Sequence, residues 1–85
     1  MGKTDATTRR QLPATIRTAG ELGEVVQAVR KCQGLTQQDI SGIAGLGSRF
    51  MVDLEKGKPT IQMQKSLDVL AQLGLEVVIR KKGSQ

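Results

Sequence analysis

Apolar positions recur along the chain with a helical period and then, near its end, with a strand period. Leu22, Val25, Val26 and Val29 fall at i, i+3, i+4 and i+7, one face of a helix. Thr18 stands just before this run and Gly34 closes it, with Lys31 in the last turn, where the helix dipole favours a cation. Thr36 offers a side-chain cap for the next helix, and Asp39 supplies the other half of a box-like start. Ile40, Ile43 and Ala44 repeat the i, i+3, i+4 spacing until Gly45 ends this short element. Leu46 and Gly47 form a turn, and either Gly47 or Ser48 opens a third helix with Met51, Leu54 and Glu55 on one face. Gly57, with Pro59 two residues beyond, stops it sharply. Thr60 caps a fourth helix whose apolar positions are Ile61, Met63, Leu67, Leu70, Ala71 and Leu73, closed by Gly74. From there the period changes: Leu75, Val77 and Ile79 alternate with Glu76, Val78 and Arg80, which predicts a strand.

A single strand at the end of a helical domain must find a partner, because its ladder groups are otherwise unpaired. Three partners are open: Ala14 to Thr18 of the same chain, the same strand of a second chain, or another protein. The symmetric pairing is preferred, since a two-fold interface uses one segment twice. Leu75, Val77, Val78 and Ile79 are then the dimerisation residues. Before the helices, residues 1–12 are polar and basic without apolar period, and Pro13 to Thr18 is a short β-leaning lead-in. The chain thus divides into a flexible basic arm (1–17), a helical domain (18–74), a dimerisation strand (75–80) and a basic tail (81–85).

Composition narrows the function. Eighty-five residues make one domain at most, with a core small enough that a dimer is expected. There is no His, which removes the commonest general base and metal ligand, so neither an enzyme nor a metal or other cofactor is expected. One cysteine, Cys32, makes no internal disulfide and fits a reducing cytoplasm. The net charge of +5 favours an anionic partner. A membrane is not that partner: no apolar run reaches spanning length, and Ala6 stands where myristoylation of Gly2 needs Ser or Thr. Gly57-Lys58-Pro59-Thr60 is no phosphate loop, because Val52 occupies the position of the required glycine.

Thr36–Ala44, the turn Gly45-Leu46-Gly47, and Ser48–Lys56 have the plan of a helix-turn-helix, whose second helix lies in the DNA major groove. Ala44 is small enough to let the two helices approach, and Leu46 plugs the angle between them. Leu35-Thr36-Gln37-Gln38-Asp39-Ile40, Ala44-Gly45-Leu46-Gly47 and Asp53-Leu54-Glu55-Lys56-Gly57-Lys58 together resemble the lambda-repressor-like, xenobiotic-response-element type of regulators. The resemblance covers about Leu22 to Gly74. The continuation Lys58-Pro59-Thr60 to Leu70-Ala71-Gln72-Leu73-Gly74-Leu75, ending in a strand, is similar to the small HipB-like antitoxins.

This resemblance implies an all-α, lambda-repressor-like domain with a short C-terminal β-strand forming a dimer ribbon. It implies a nucleoid-associated homodimer on palindromic double-stranded operator DNA, repressing its own operon and binding a HipA-like kinase toxin. Carried over residue by residue, Thr36 and Gln37 meet phosphate through their amides and the Gln37 side chain. Ser48, Arg49, Val52 and Asp53 face base edges, Arg49 on guanine and Val52 on a thymine methyl. Asp53 either accepts from cytosine N4 or orients Arg49 one turn away. Lys56 and Lys58 contact the backbone, and Arg30 with Glu55 forms a partly buried ion pair joining the first and third helices. Phe50 is large for its position and either packs on the fourth helix or reaches the DNA. Two other functions share the scaffold: a stand-alone repressor without a toxin, and a protein-interaction adaptor with little DNA affinity.

The positive charge is not on this reading head. Residues 1–17 hold four bases and one acid, residues 79–85 three bases and no acid, and residues 18–78 six bases and seven acids. Bulk charge therefore belongs to the ends, where it adds affinity but little sequence information.

Overall fold

A computed structural model describes residues 12–83, with Ala44 described by its backbone alone. Most of the basic arm, the end of the tail and the proposed role of the Ala44 side chain lie outside the described residues. Four helices follow in order: α1 (Ala19–Cys32), α2 (Gln37–Ala44), α3 (Ser48–Lys56) and α4 (Met63–Gln72). Their starts and stops follow local chemistry. Thr18 caps α1 by accepting from the Glu21 amide. Thr36 caps α2 within a complete capping box, its Oγ1 accepting from the Asp39 amide and its own amide donating to Asp39. The Thr36 amide, and then its hydroxyl, hold the Asp39 carboxyl below its ordinary value of 3.8. Gly45 and Gly57 end α2 and α3 in the left-handed region, at φ 69° and 81°.

The core is a small apolar cluster: Val25, Val26 and Val29 of α1, Ile40 of α2, Met51 and Leu54 of α3, and Val69, Leu70 and Leu73 at the end of α4. Leu22, Leu35, Leu46, Phe50, Ile61 and Leu75 pack around it, half-buried. Phe50 therefore belongs to the packing layer. Leu46, in the turn between α2 and α3, is among the residues that pack on this core.

α1 and α3 approach so closely that only glycine fits at two points. A Cβ on Gly23 would stand 2.5 Å from the Leu54 carbonyl oxygen and 2.7 Å from that of Glu55. A Cβ on Gly57 would stand 2.5 Å from the Gly20 Cα. This contact fixes how α3 sits on the domain.

Several expectations are corrected. Ile43 is 61% exposed and is not a core residue. Each helical residue turns about 100°, so buried Ile40 and Ser41 aim the inner face of α2 away from position 43. Helix α4 begins at Met63 with Gln62 at its cap, not at Thr60. Lys58 to Ile61 closes a turn instead, with the Ile61 amide donating to the Lys58 carbonyl. Met63, at the first position, is 72% exposed, while Ile61 packs on the core from the loop.

The C-terminal segment forms no strand among the described residues, and neither does Ala14 to Thr18. The Leu75 amide instead donates to the Leu70 carbonyl at 2.8 Å and closes α4, with its side chain on the core. Leu75 thus belongs to the domain. Val77, Val78 and Ile79 stand open to solvent, Ile79 at 90%.

Candidate nucleic-acid interface

The interface is built outward from one carboxylate. Glu55 lies near the end of α3, its side chain 2% exposed. Arg30 of α1 meets it side-on with one edge of the guanidinium, Nε to Oε2 at 2.6 Å and Nη2 to Oε1 at 3.0 Å. The third Arg30 nitrogen, Nη1, donates to the Leu35 carbonyl at 2.6 Å, just before α2. Gln37, the first residue of α2, donates to Glu55 Oε1 at 3.0 Å, and Gln27 of α1 adds a longer bond at 3.4 Å. One acid therefore ties α1, α2 and α3 together. Removing a buried charge from water is tolerated only when paired and hydrogen-bonded to this degree.

The expected Arg30–Glu55 pair is thus present. The Gln37 side chain, expected to meet phosphate, donates one of its two amide hydrogens to Glu55 and so also positions α2 against α3. Gln27 was not anticipated, because its partner lies 28 residues away. Gly23 was missed too. Its signal was legible, since a glycine sharing the inward face of α1 with Val26 and Arg30 marks a close approach.

Helix α3 has Gly47 at its N-cap and therefore no side-chain cap. Its first turn therefore presents amides beside Ser48 and Arg49, both exposed. Arg49 points out with its side chain 77% exposed and its Nε 3.1 Å from Asp53 Oδ1. Asp53 is only 17% exposed, and its other oxygen lies 3.7 Å from Lys58 Nζ. Val52 is half-buried, and Lys56 and Lys58 are exposed. Thr36 caps α2, and its amide, expected to meet phosphate, donates instead to Asp39 within the capping box at 2.8 Å. The structure thus brings Ser48, Arg49, Asp53 and Lys58 together on and just after α3. A groove of about 330 Å³ lined by Ile16, Leu22, Pro59, Ile61, Met63 and their neighbours contains none of these residues. Among the described residues no cluster of acids or cysteines is arranged to hold a metal ion, and no helix is long and apolar enough to cross a membrane.

Two short helices joined by a glycine turn, the second exposing an arginine and braced from behind by a buried ion pair, define a helix-turn-helix protein. No family model matches the chain. An uncharacterized HTH-type transcriptional regulator, y4mF of Sinorhizobium fredii (strain NBRC 101917 / NGR234), is 47% identical over 70 residues, 82% of this chain and 92% of the relative. The chain belongs to the HTH-type transcriptional regulators. Its fold is that of HipB: the HipB–O4 20mer complex matches with a TM-score of 0.74 at 18% identity, over 80% of this chain and 96% of that one. The HipA–HipB–O2–O3 complex matches with a TM-score of 0.75 at the same identity, coverage again 80% and 96%.

Proposed function

We propose that the chain is a homodimeric, sequence-specific DNA-binding repressor, acting as the antitoxin of a HipBA-type pair. The observation that carries the DNA reading is the exposed Arg49 on a helix locked in orientation by the Glu55 network. Each subunit lays α3 in a major groove, Arg49 reads guanine, and Lys56 and Lys58 meet the backbone. A two-fold dimer then requires half-sites whose centres lie about 34–36 Å apart. The function is binding alone and needs no catalysis. The antitoxin role rests on the shared fold with HipB, which has been solved in a HipA–HipB–O2–O3 complex. Finding a reading frame for a HipA-like kinase beside this one would favour that role over a stand-alone repressor, and its absence would favour the stand-alone repressor.

The Arg49 assignment is tested by titrating wild type and Arg49→Ala against a set of operator variants with single base changes. Arg49→Ala is expected to lose about 1–3 kcal/mol on the native operator and to become indifferent to one or two base pairs. Equal weakening on every sequence would make Arg49 a phosphate contact.

Dimerisation falls to the segment after Leu75, residues 76–80. Val77, Val78 and Ile79 are open in a single chain, which suits a ribbon formed with the same segment of a second copy. Truncation after Gly74 removes Leu75 as well, so the test is better made at Val77→Lys and Ile79→Lys together. The expected result is a monomer by analytical ultracentrifugation, with weaker operator binding and an intact helical spectrum. A variant that stays a tight dimer contradicts the ribbon.

A further inference from the structure

We propose that Asp53 is a positioning residue that sets the sequence selectivity of Arg49 without itself touching DNA. The inference rests on the DNA-binding reading and deepens it. An aspartate on a DNA-facing helix is at first sight misplaced, because a carboxylate repels the phosphate backbone whatever the sequence. The geometry resolves this. One Asp53 oxygen lies 3.1 Å from Arg49 Nε, the other 3.7 Å from Lys58 Nζ, and the side chain is only 17% exposed. The Asp53 carbonyl also accepts from the Lys58 amide at 3.0 Å. One residue thus holds the arginine one turn before it and the lysine five residues after it.

Two cations around one anion leave the cluster net positive, so the carboxylate costs little in attraction to DNA. In return it restrains a long side chain that otherwise samples many rotamers. A restrained arginine loses less freedom on binding, and it presents its guanidinium in one direction. Recognition of guanine by two parallel bonds depends on that direction, whereas attraction to phosphate does not. Asp53 therefore acts on selectivity and general affinity with opposite signs.

Asp53→Asn separates the two, since it removes the charge while keeping the shape. Operator and unrelated duplex are titrated with wild type, Asp53→Asn, Arg49→Ala and the double variant, with thermal unfolding recorded for each. Asp53→Asn is expected to bind unrelated DNA as well as wild type or better. Its operator-to-unrelated affinity ratio is expected to fall about tenfold, with unfolding close to wild type. In the Arg49→Ala background the same change is expected to leave the ratio where it was, because Asp53 then has no arginine to aim. A tenfold loss that persists without Arg49 would show direct reading of a base by Asp53 and overturn the proposal. An unchanged ratio in Asp53→Asn would overturn it as well. A wild type with no sequence preference sinks the DNA reading itself, while a selective Asp53→Asn sinks the positioning role alone.

Discussion

Glu55→Ala should destabilise the fold by about 3–5 kcal/mol, the range for breaking a buried pair by removing one partner. The loss is this large because the variant strands Arg30, whose side chain is only 9% exposed, and takes the acceptor from Gln37 and Gln27. A domain of this size has on the order of 5–10 kcal/mol to lose, so much of its stability is at stake. The effect on DNA binding follows from the same contacts, since the carboxylate joins α3 to α1 and α2. The pair is not itself a large source of net stability, because desolvation offsets most of its attraction. Arg30→Met with Glu55→Leu should therefore be more stable than Glu55→Ala alone. Urea unfolding followed by circular dichroism, at one protomer concentration throughout, measures both. A Glu55→Ala loss below about 1 kcal/mol would mean that the pair behaves as a surface ion pair and that the network does not hold α3.

Gly57→Ala should cost about 2–5 kcal/mol, for two separable reasons. The residue sits at φ 81°, where a Cβ is strained by about 1–2 kcal/mol. The added Cβ would also stand 2.5 Å from the Gly20 Cα, a backbone atom that cannot swing aside. Overpacking of this kind adds about 1–3 kcal/mol. Gly34→Ala is the internal comparison, because Gly34 has φ 74° with nothing within 4 Å of its Cβ position. It should show the backbone strain alone. Equal losses at the two glycines would mean that α1 and the end of α3 are free to move apart, and the close seam between them would not hold.

These two sites show what could be read from residues alone. Glycines after each apolar run, and the Thr36 and Asp39 pair, specify helix ends through contacts within four residues, so they were legible. Arg30 and Glu55 were also found, through a family resemblance and not through spacing. The meeting of Gln27 and Gln37 on Glu55 depends on how three helices cross, and no local period records that. The Gly20–Gly57 approach is hidden for the same reason: the chain has ten glycines, and only packing distinguishes a turn glycine from one pressed against another backbone. Ile43 and Met63 fit a helical period but not the inner face that the neighbouring helices select. The segment after Gly74 alternates as a strand, yet a strand is defined by its partner, and one chain leaves Val77 to Ile79 without one.

The central claim is that the α2–α3 unit reads a DNA sequence. It is tested most directly by a gel shift of the wild-type chain on its own upstream region, with unrelated duplex as competitor at moderate salt. The predicted result is a discrete complex that survives about a thousandfold excess of competitor. A complex competed equally by unrelated DNA, or none at all, would contradict it.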